Sequence, residues 1–172
     1  MEQGLIELYF GTGKGKTCCA VGLCLRAAGN DFTCAIVQFM KAAGMSGECA
    51  ILEQLPQILL YSYGREGFLL DRQAAAEEDV QLAQDALKKA YQLMPEVDIL
   101  VLDELTNAWY FNLLTEQEIK DFLAQKSEQT ELVITGRIAP DFLLEAADLV
   151  TEFKEIKHPY SRGIQRRKGI EY

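Results

Sequence analysis

The amino-acid sequence predicts an α/β protein with a mostly parallel sheet flanked by helices on both faces, and three observations carry that reading. Short, almost wholly apolar runs recur along the 172 residues, as strands covered on both faces require. Helix-length segments with apolar stripes separate them, the alternation that winds a sheet through right-handed crossovers. The first apolar run leads through a glycine-rich loop straight into a helix.

Each element follows in order. Leu5 to Phe10 is the first strand, and residues 16–28 form a helix carrying Ala20, Val21, Leu23, Ala27 and Ala28, closed by Gly29-Asn30. Thr33 to Phe39 is a second apolar strand. Residues 40–47 are a small-residue loop, and Glu48 to Leu55 is a short helix stopped by Pro56. Ile58 to Tyr63 is the third strand, after which Gly64-Arg65-Glu66-Gly67 opens a loop. A long helix is expected from an N-cap at about Asp71 to Met94, with Val80, Ala83, Leu87, Ala90 and Met94 on one stripe and Pro95 ending it. Val97 to Asp103 and Thr130 to Thr135 are buried strands; helices lie around 105–112, 115–126 and 140–147, and Leu149 to Ile156 is the last strand. There is no internal repeat or linker, so residues 1–172 are expected to make one domain.

The loop is the most informative feature. Phe10 to Thr17 reads Phe-Gly-Thr-Gly-Lys-Gly-Lys-Thr. Gly11, Gly13 and Gly15 let the backbone curl so that N–H groups point inward, Lys16 adds a mobile positive charge, and the Thr17 hydroxyl at the helix start can ligate Mg²⁺. This is the phosphate-binding loop of a P-loop NTPase-type fold, one residue shorter than Gly-x-x-x-x-Gly-Lys-Thr because Phe10 stands where that spacing needs glycine. A nucleoside triphosphate is the expected ligand; a flexible Gly/Lys turn is the bland alternative.

Composition excludes other classes. A formal net charge of −9 repels phosphate backbones and anionic membranes over most of the surface. Positive charge is local: Lys14 and Lys16 in the loop, and Arg162, Arg166, Arg167 and Lys168 near the C-terminus, a cluster that is either solvated or contacts an anion. The five cysteines form no Cys-x-x-Cys pair and have no histidine near them, which argues against a zinc site and for reduced, small apolar residues. With no leader-like segment and no run near the ~18 apolar residues of a membrane span, a cytoplasmic location is expected.

Other positions bear on the chemistry. The strand ending in Asp103-Glu104 delivers a carboxylate to the carboxyl edge of the sheet, where it can hold Mg²⁺ or simply cap the following helix. Thr135-Gly136-Arg137 ends another strand, placing Arg137 for a phosphate, ribose or carboxyl contact, or for a surface pair with Asp141. Arg26 and Lys41 are open between solvation and a phosphate contact. His158, the one histidine, has no Ser or Asp motif beside it.

Read together, Gly11 to Thr17, Val37-Gln38-Phe39-x-Lys41, Gly47-Glu48, Leu100 to Leu105, Ile134 to Arg137 and Lys157-His158 through Gly163 to Gly169-Ile170-Glu171-Tyr172 resemble the P-loop cob(I)alamin, or corrinoid, adenosyltransferases, which include the cob(I)yrinic acid a,c-diamide adenosyltransferases. The shortened loop and the Gly-Ile-Glu-Tyr ending are the specific parts. The resemblance implies transfer of the 5′-deoxyadenosyl group of ATP to Co(I) of a reduced corrinoid with release of triphosphate, in adenosylcobalamin synthesis or salvage. It assigns catalytic roles to Lys16, Thr17 and Glu104, ATP contacts to Gly11, Thr12, Gly13, Lys14, Gly15, Lys16, Thr17, Arg26 and Arg137, Mg²⁺ to Thr17 and Glu104, and the corrinoid to Phe68 and Leu70. A homodimer and a flavoprotein reductant are the expected partners. An ATP-dependent binding or regulatory module, or a small ATPase or kinase, remains the alternative.

Two departures from the family stand out. Many members have Gly-Phe-Thr-Trp where this chain has Gly67-Phe68-Leu69-Leu70, so an indole wall on the corrin face is replaced by a leucine; Phe68 to Leu70 could also be mere core residues. The chain starts immediately before its first strand, without the longer N-terminal arm of some relatives, and a more open corrinoid pocket, or one completed by a partner subunit, is expected.

Overall fold

A computed structural model describes residues 3–44, 46–67 and 75–171. Six strands, β1 (Ile6–Phe10), β2 (Cys34–Phe39), β3 (Ile58–Tyr63), β4 (Ile99–Asp103), β5 (Glu131–Gly136) and β6 (Leu149–Glu152), form one sheet in the order β3-β2-β4-β5-β1-β6. Every pairing is parallel. The helices are α1 (Lys16–Ala28), α2 (Gly47–Leu52), α3 (Glu77–Leu93), α4 (Leu105–Tyr110), α5 (Glu116–Ala124) and α6 (Asp141–Ala146).

Residue parity along the strands divides the core in two, because successive side chains point to opposite faces. Ala35, Val37, Phe39, Leu100, Leu102, Leu132 and Ile134 pack with Ala83, Ala86, Leu87 and Ala90 of α3 and with residues of α4 to α6. The intervening Cys34, Ile36, Ile99, Val101 and Val133 pack against Ala20, Val21, Cys24 and Ala27 of α1 and Leu52 of α2. Both faces are therefore covered, as the apolar runs predict. All five cysteines are free thiols, three of them buried. No helix among the described residues is long and apolar enough to cross a membrane.

The long helix differs from its expectation. Asp71 lies outside the described residues, Ala75 and Ala76 are not helical, and the helix begins at Glu77. Asp79, rather than Asp71, serves the N-terminus: its carboxylate accepts the Ala76 N–H at 2.9 Å and a two-pronged contact from Arg65 that includes Nε at 2.8 Å. A carboxylate inside the first turn satisfies an open N–H and favours the helix dipole as well as a cap would. The first helix ends as expected near Gly29, but Gly29 stays right-handed and Asp31 takes the left-handed turn instead. Beyond it, β6 is shorter than its apolar run suggests, and all four of its residues are exposed at the sheet edge.

At the opposite edge of the strands from the glycine-rich loop, Glu131 is 8% exposed and its carboxylate accepts the Leu5 N–H at 2.7 Å. Burial, reinforced by neighbouring Glu7, raises this carboxyl to about 7. A folded value above the unfolded one means stability that is full below about 4.5 and lost as pH rises through about 7. Urea unfolding at pH 5.5 and pH 8 is expected to show a stability loss on the order of 1 kcal/mol from this group, and Glu131→Gln to flatten that slope. An unchanged slope in the variant would assign the pH dependence elsewhere.

Candidate active site

The carboxyl ends of β1, β2, β4 and β5 converge on the loop between β1 and α1. Gly11 there has φ 120°, and a Cβ on it would lie 2.4 Å from the Phe153 carbonyl oxygen, so only glycine fits. The loop is stitched to the segment after β6: Phe153 N–H donates to Phe10 O at 2.7 Å and Gly13 N–H to Phe153 O at 2.6 Å. Lys16 is buried and its ammonium donates to the carbonyls of Gly11 (2.8 Å) and Gly13 (2.9 Å), arching over the loop. Burial holds its pKa below the usual lysine value, against the pull of Glu104.

Beneath the loop sits Asp103, fully buried at the end of β4. Its Oδ1 accepts from the Thr17 hydroxyl at 2.9 Å and the Thr135 hydroxyl at 2.7 Å; its Oδ2 accepts from Lys41 Nζ at 2.6 Å and Gln38 Nε2 at 3.3 Å. Burial alone would raise this carboxyl, but the Lys41 charge and the hydrogen bonds outweigh it and keep it below the usual carboxylate range. Lys41 also reaches the Thr17 hydroxyl at 3.2 Å. The ammonium thus lies between a hydroxyl and a carboxylate, where a cation is strongly favoured.

Glu104 follows in a left-handed conformation, φ 67°, uncommon for a residue with a side chain and concentrated at functional sites. The Thr135 hydroxyl accepts its N–H at 3.0 Å, and the Asn107 amide hydrogen-bonds its carboxylate. It makes no side-chain cap to α4, so the capping alternative is not realised. Burial, then the adjacent Asp103 charge, raises the Glu104 carboxyl above its usual value. The charges of Lys41, Lys16 and Arg137 act against that rise.

A cavity of about 600 Å³ opens over these groups and is lined by Lys14 to Cys18, Lys41, Glu48, Glu104 and the C-terminal Arg166 and Glu171. A second hollow of about 270 Å³, lined by Tyr63, Arg65 and Leu113, shares Met40 and Gly67 with the first. The two adjoin at the residue before Phe68.

The structure thus brings together Lys14, Gly15, Lys16, Thr17 and Glu104. Gly11 and Gly13 are buried in the loop floor and Thr12 is exposed on it. Arg26 is not brought to the cavity: it is exposed in the last turn of α1, roughly 15 Å along the helix from Lys16. Arg137 is exposed beside the site, anchored by its N–H to Asn107 Oδ1 at 2.9 Å, and no ion pair joins it to Asp141 among the described residues. Phe68 and Leu70 lie outside the described residues. Sequence reasoning placed Thr135 and Gln38 in its motifs but gave neither a role, although their signal was their place at or near the carboxyl ends of the strands flanking β4; it gave none to Phe153, for which no sequence signal existed.

Residues 2–172 match the family model of the ATP:corrinoid adenosyltransferases BtuR/CobO/CobP. The chain is 35% identical to a corrinoid adenosyltransferase of Pseudomonas aeruginosa over 99% of this chain and 85% of that protein. It is 37% identical to one from a Sinorhizobium species (99% and 81%) and 32% identical to one from Escherichia coli K12 (99% and 87%). Extent, identity and the arrangement of loop, acidic strand end and cavity agree, and the chain belongs to the ATP:corrinoid adenosyltransferase family.

Proposed function

We propose that residues 1–172 act as one domain that binds ATP in the larger cavity and presents its ribose C5′ toward a reduced corrinoid entering from the hollow at Met40 and Gly67. The observation that supports this best is the juxtaposition of Lys16, Thr17 and Glu104 in one cavity that adjoins a second. Co(I) of the substrate attacks C5′ with its electron pair, a Co–C bond forms, and the C5′–O bond breaks with its pair leaving on triphosphate. The setting is adenosylcobalamin synthesis or salvage in the cytoplasm, with a homodimer and a flavoprotein reductant as the partners that go with this reading.

The leaving group gains charge, so the protein's work is to hold it in line and neutralise it. Loop N–H groups from Gly11 to Thr17, with Lys14 and Lys16, would cradle the phosphates. Thr17 and Glu104 offer the hard oxygen ligands, and the adjacent pair of carboxylates the charge, that suit Mg²⁺. When bound, Mg²⁺ supplies Lewis-acid stabilisation of charge on the triphosphate. Arg137 stands near enough to influence Lys16 and Glu104 electrostatically and would add positive charge at the rim. No protein nucleophile or general base is called for.

An anaerobic assay with ATP, Mg²⁺ and chemically reduced corrinoid should give triphosphate and a Co–C bond; ADP and phosphate would mean an ATPase or kinase, and no product a binding module. In that assay Lys16→Ala and Thr17→Ala should each lower kcat/KM by at least about 100-fold, the effect of losing a charge-assisted or metal-ligating contact worth several kcal/mol. Near-normal kcat/KM at saturating Mg²⁺ would reject the assignment.

Glu104→Gln should keep the fold while weakening metal dependence and rate far more than Asp121→Asn, an exposed carboxylate whose Oδ1 accepts from Gln117 at 2.8 Å. Equal, small effects would remove Glu104 from the metal site. On the corrinoid side, Leu70→Trp should lower corrinoid KM or raise the four-coordinate Co(II) signal while leaving ATP KM unchanged, since an indole adds a stiff wall against a flat macrocycle. A change in ATP KM alone would place residues 67–70 on the nucleotide side.

A further inference from the structure

The C-terminal segment is built onto the phosphate loop by a specific set of contacts. Lys14 Nζ donates to the Ile170 carbonyl at 2.8 Å and to Glu171 Oε1 at 3.2 Å. The same carboxylate accepts the Arg167 N–H at 2.8 Å, its Nε at 3.2 Å and its Nη2 at 2.9 Å, while Glu171 N–H returns to the Arg167 carbonyl at 2.9 Å. Residues 167–171 are therefore a turn closed on its own carboxylate, with the remaining acceptor capacity directed at the loop. This grip holds the Glu171 carboxyl down at about 2, so it stays ionised throughout the working pH range.

The consequence for the cavity is one of charge and position. Glu171 is shared by two cations, Lys14 and Arg167, and is more than neutralised locally. Docking the turn brings Arg166 to the wall of the larger cavity, where Lys14, Lys16 and Lys41 are the other cationic lining residues. Glu48, Glu104 and Glu171 line the same cavity and set three negative charges against those lysines. A triphosphate carries more charge than those groups offset alone, and a guanidinium binds phosphate oxygens in a planar, two-pronged fashion.

We propose that Arg166 is a phosphate-contacting residue of the nucleotide site and that Glu171 is its positioning residue, acting by docking the C-terminal turn on Lys14. The inference rests on the larger cavity being the nucleotide site. It extends the wall that the loop presents to the triphosphate, since the turn rests on Lys14. It also makes the C-terminal turn part of the site rather than a solvated basic end.

Calorimetric titration of the full chain with inorganic triphosphate tests it, using Arg166→Met, Arg166→Lys, Glu171→Gln and the Arg166→Met/Glu171→Gln double variant. Arg166→Met should weaken Kd about tenfold, and Arg166→Lys, which keeps the charge but not the two-pronged fork, should recover only part of that loss. Glu171→Gln should weaken it about fivefold, and the double variant should bind no worse than about twofold below Arg166→Met, because the two residues act through one contact. Wild-type affinity in Arg166→Met, tighter binding in Glu171→Gln, or effects that multiply in the double variant would each overturn the proposal. Lys16→Ala separates the two readings: if it loses triphosphate while Arg166→Met does not, only this inference fails; if it binds normally, the nucleotide site itself is misplaced.

Discussion

One buried charge organises the carboxyl edge of the sheet. Asp103 has no contact with solvent, yet its carboxylate is held by four donors from four separate elements: Thr17 at the start of α1, Gln38 on β2, Lys41 just after it and Thr135 on β5. Burying a carboxylate costs several kcal/mol unless pairing and hydrogen bonds are complete. Because no single segment could supply all the donors, the ion ties the loop helix, two strands and a loop into one arrangement. Ser62 extends the set to β3 by donating to Gln38 Oε1 at 2.9 Å, which orients the amide toward Asp103.

That arrangement explains why the two members of the acidic pair differ. Asp103 has its donors and is held ionised below the sheet edge, whereas Glu104, turned by its left-handed backbone, reaches the cavity with only the Asn107 side chain on its carboxylate among the described contacts. Neighbouring carboxylates in different environments behave differently, here one buried among its donors and one lining the cavity. The strain at Glu104 is supported from two sides: Thr135 holds its N–H, and Asn107, which also accepts the Arg137 N–H, holds its side chain. Close packing behind this point depends on Gly136, where a Cβ would come within 1.9 Å of the Thr106 hydroxyl.

The loop depends on a different kind of support. Its curl is local chemistry, but its position is set by the chain beyond β6, whose Phe153 accepts from Gly13 and donates to Phe10. The short loop therefore leans on backbone contributed from about 140 residues later in the sequence. Such long-range closure is entropically costly and is sustained by the parallel pairing of β6 with β1. The C-terminal turn, resting on Lys14, continues the same wall.

What the sequence determined by itself is what local chemistry and periodicity encode. Apolar runs named all six strands, and three glycines followed by Lys16 and Thr17 declared a phosphate loop, because curl, charge and hydroxyl are properties of adjacent residues. The acidic end of β4 was legible for the same reason, being two carboxylates after an apolar run. The tertiary structure alone decided the rest. Whether Glu104 capped a helix or faced a cavity, whether Lys41 was solvated or paired with Asp103, and that Arg26 stays outside while Arg166 joins the cavity wall all depend on which strand edges lie side by side. In a parallel sheet of order β3-β2-β4-β5-β1-β6, β4 touches neither β3, the strand before it in the chain, nor β1, the strand that carries the loop, and its partners are β2 and β5. That permutation, set by crossover packing across two separate cores, is written in no local stretch of residues.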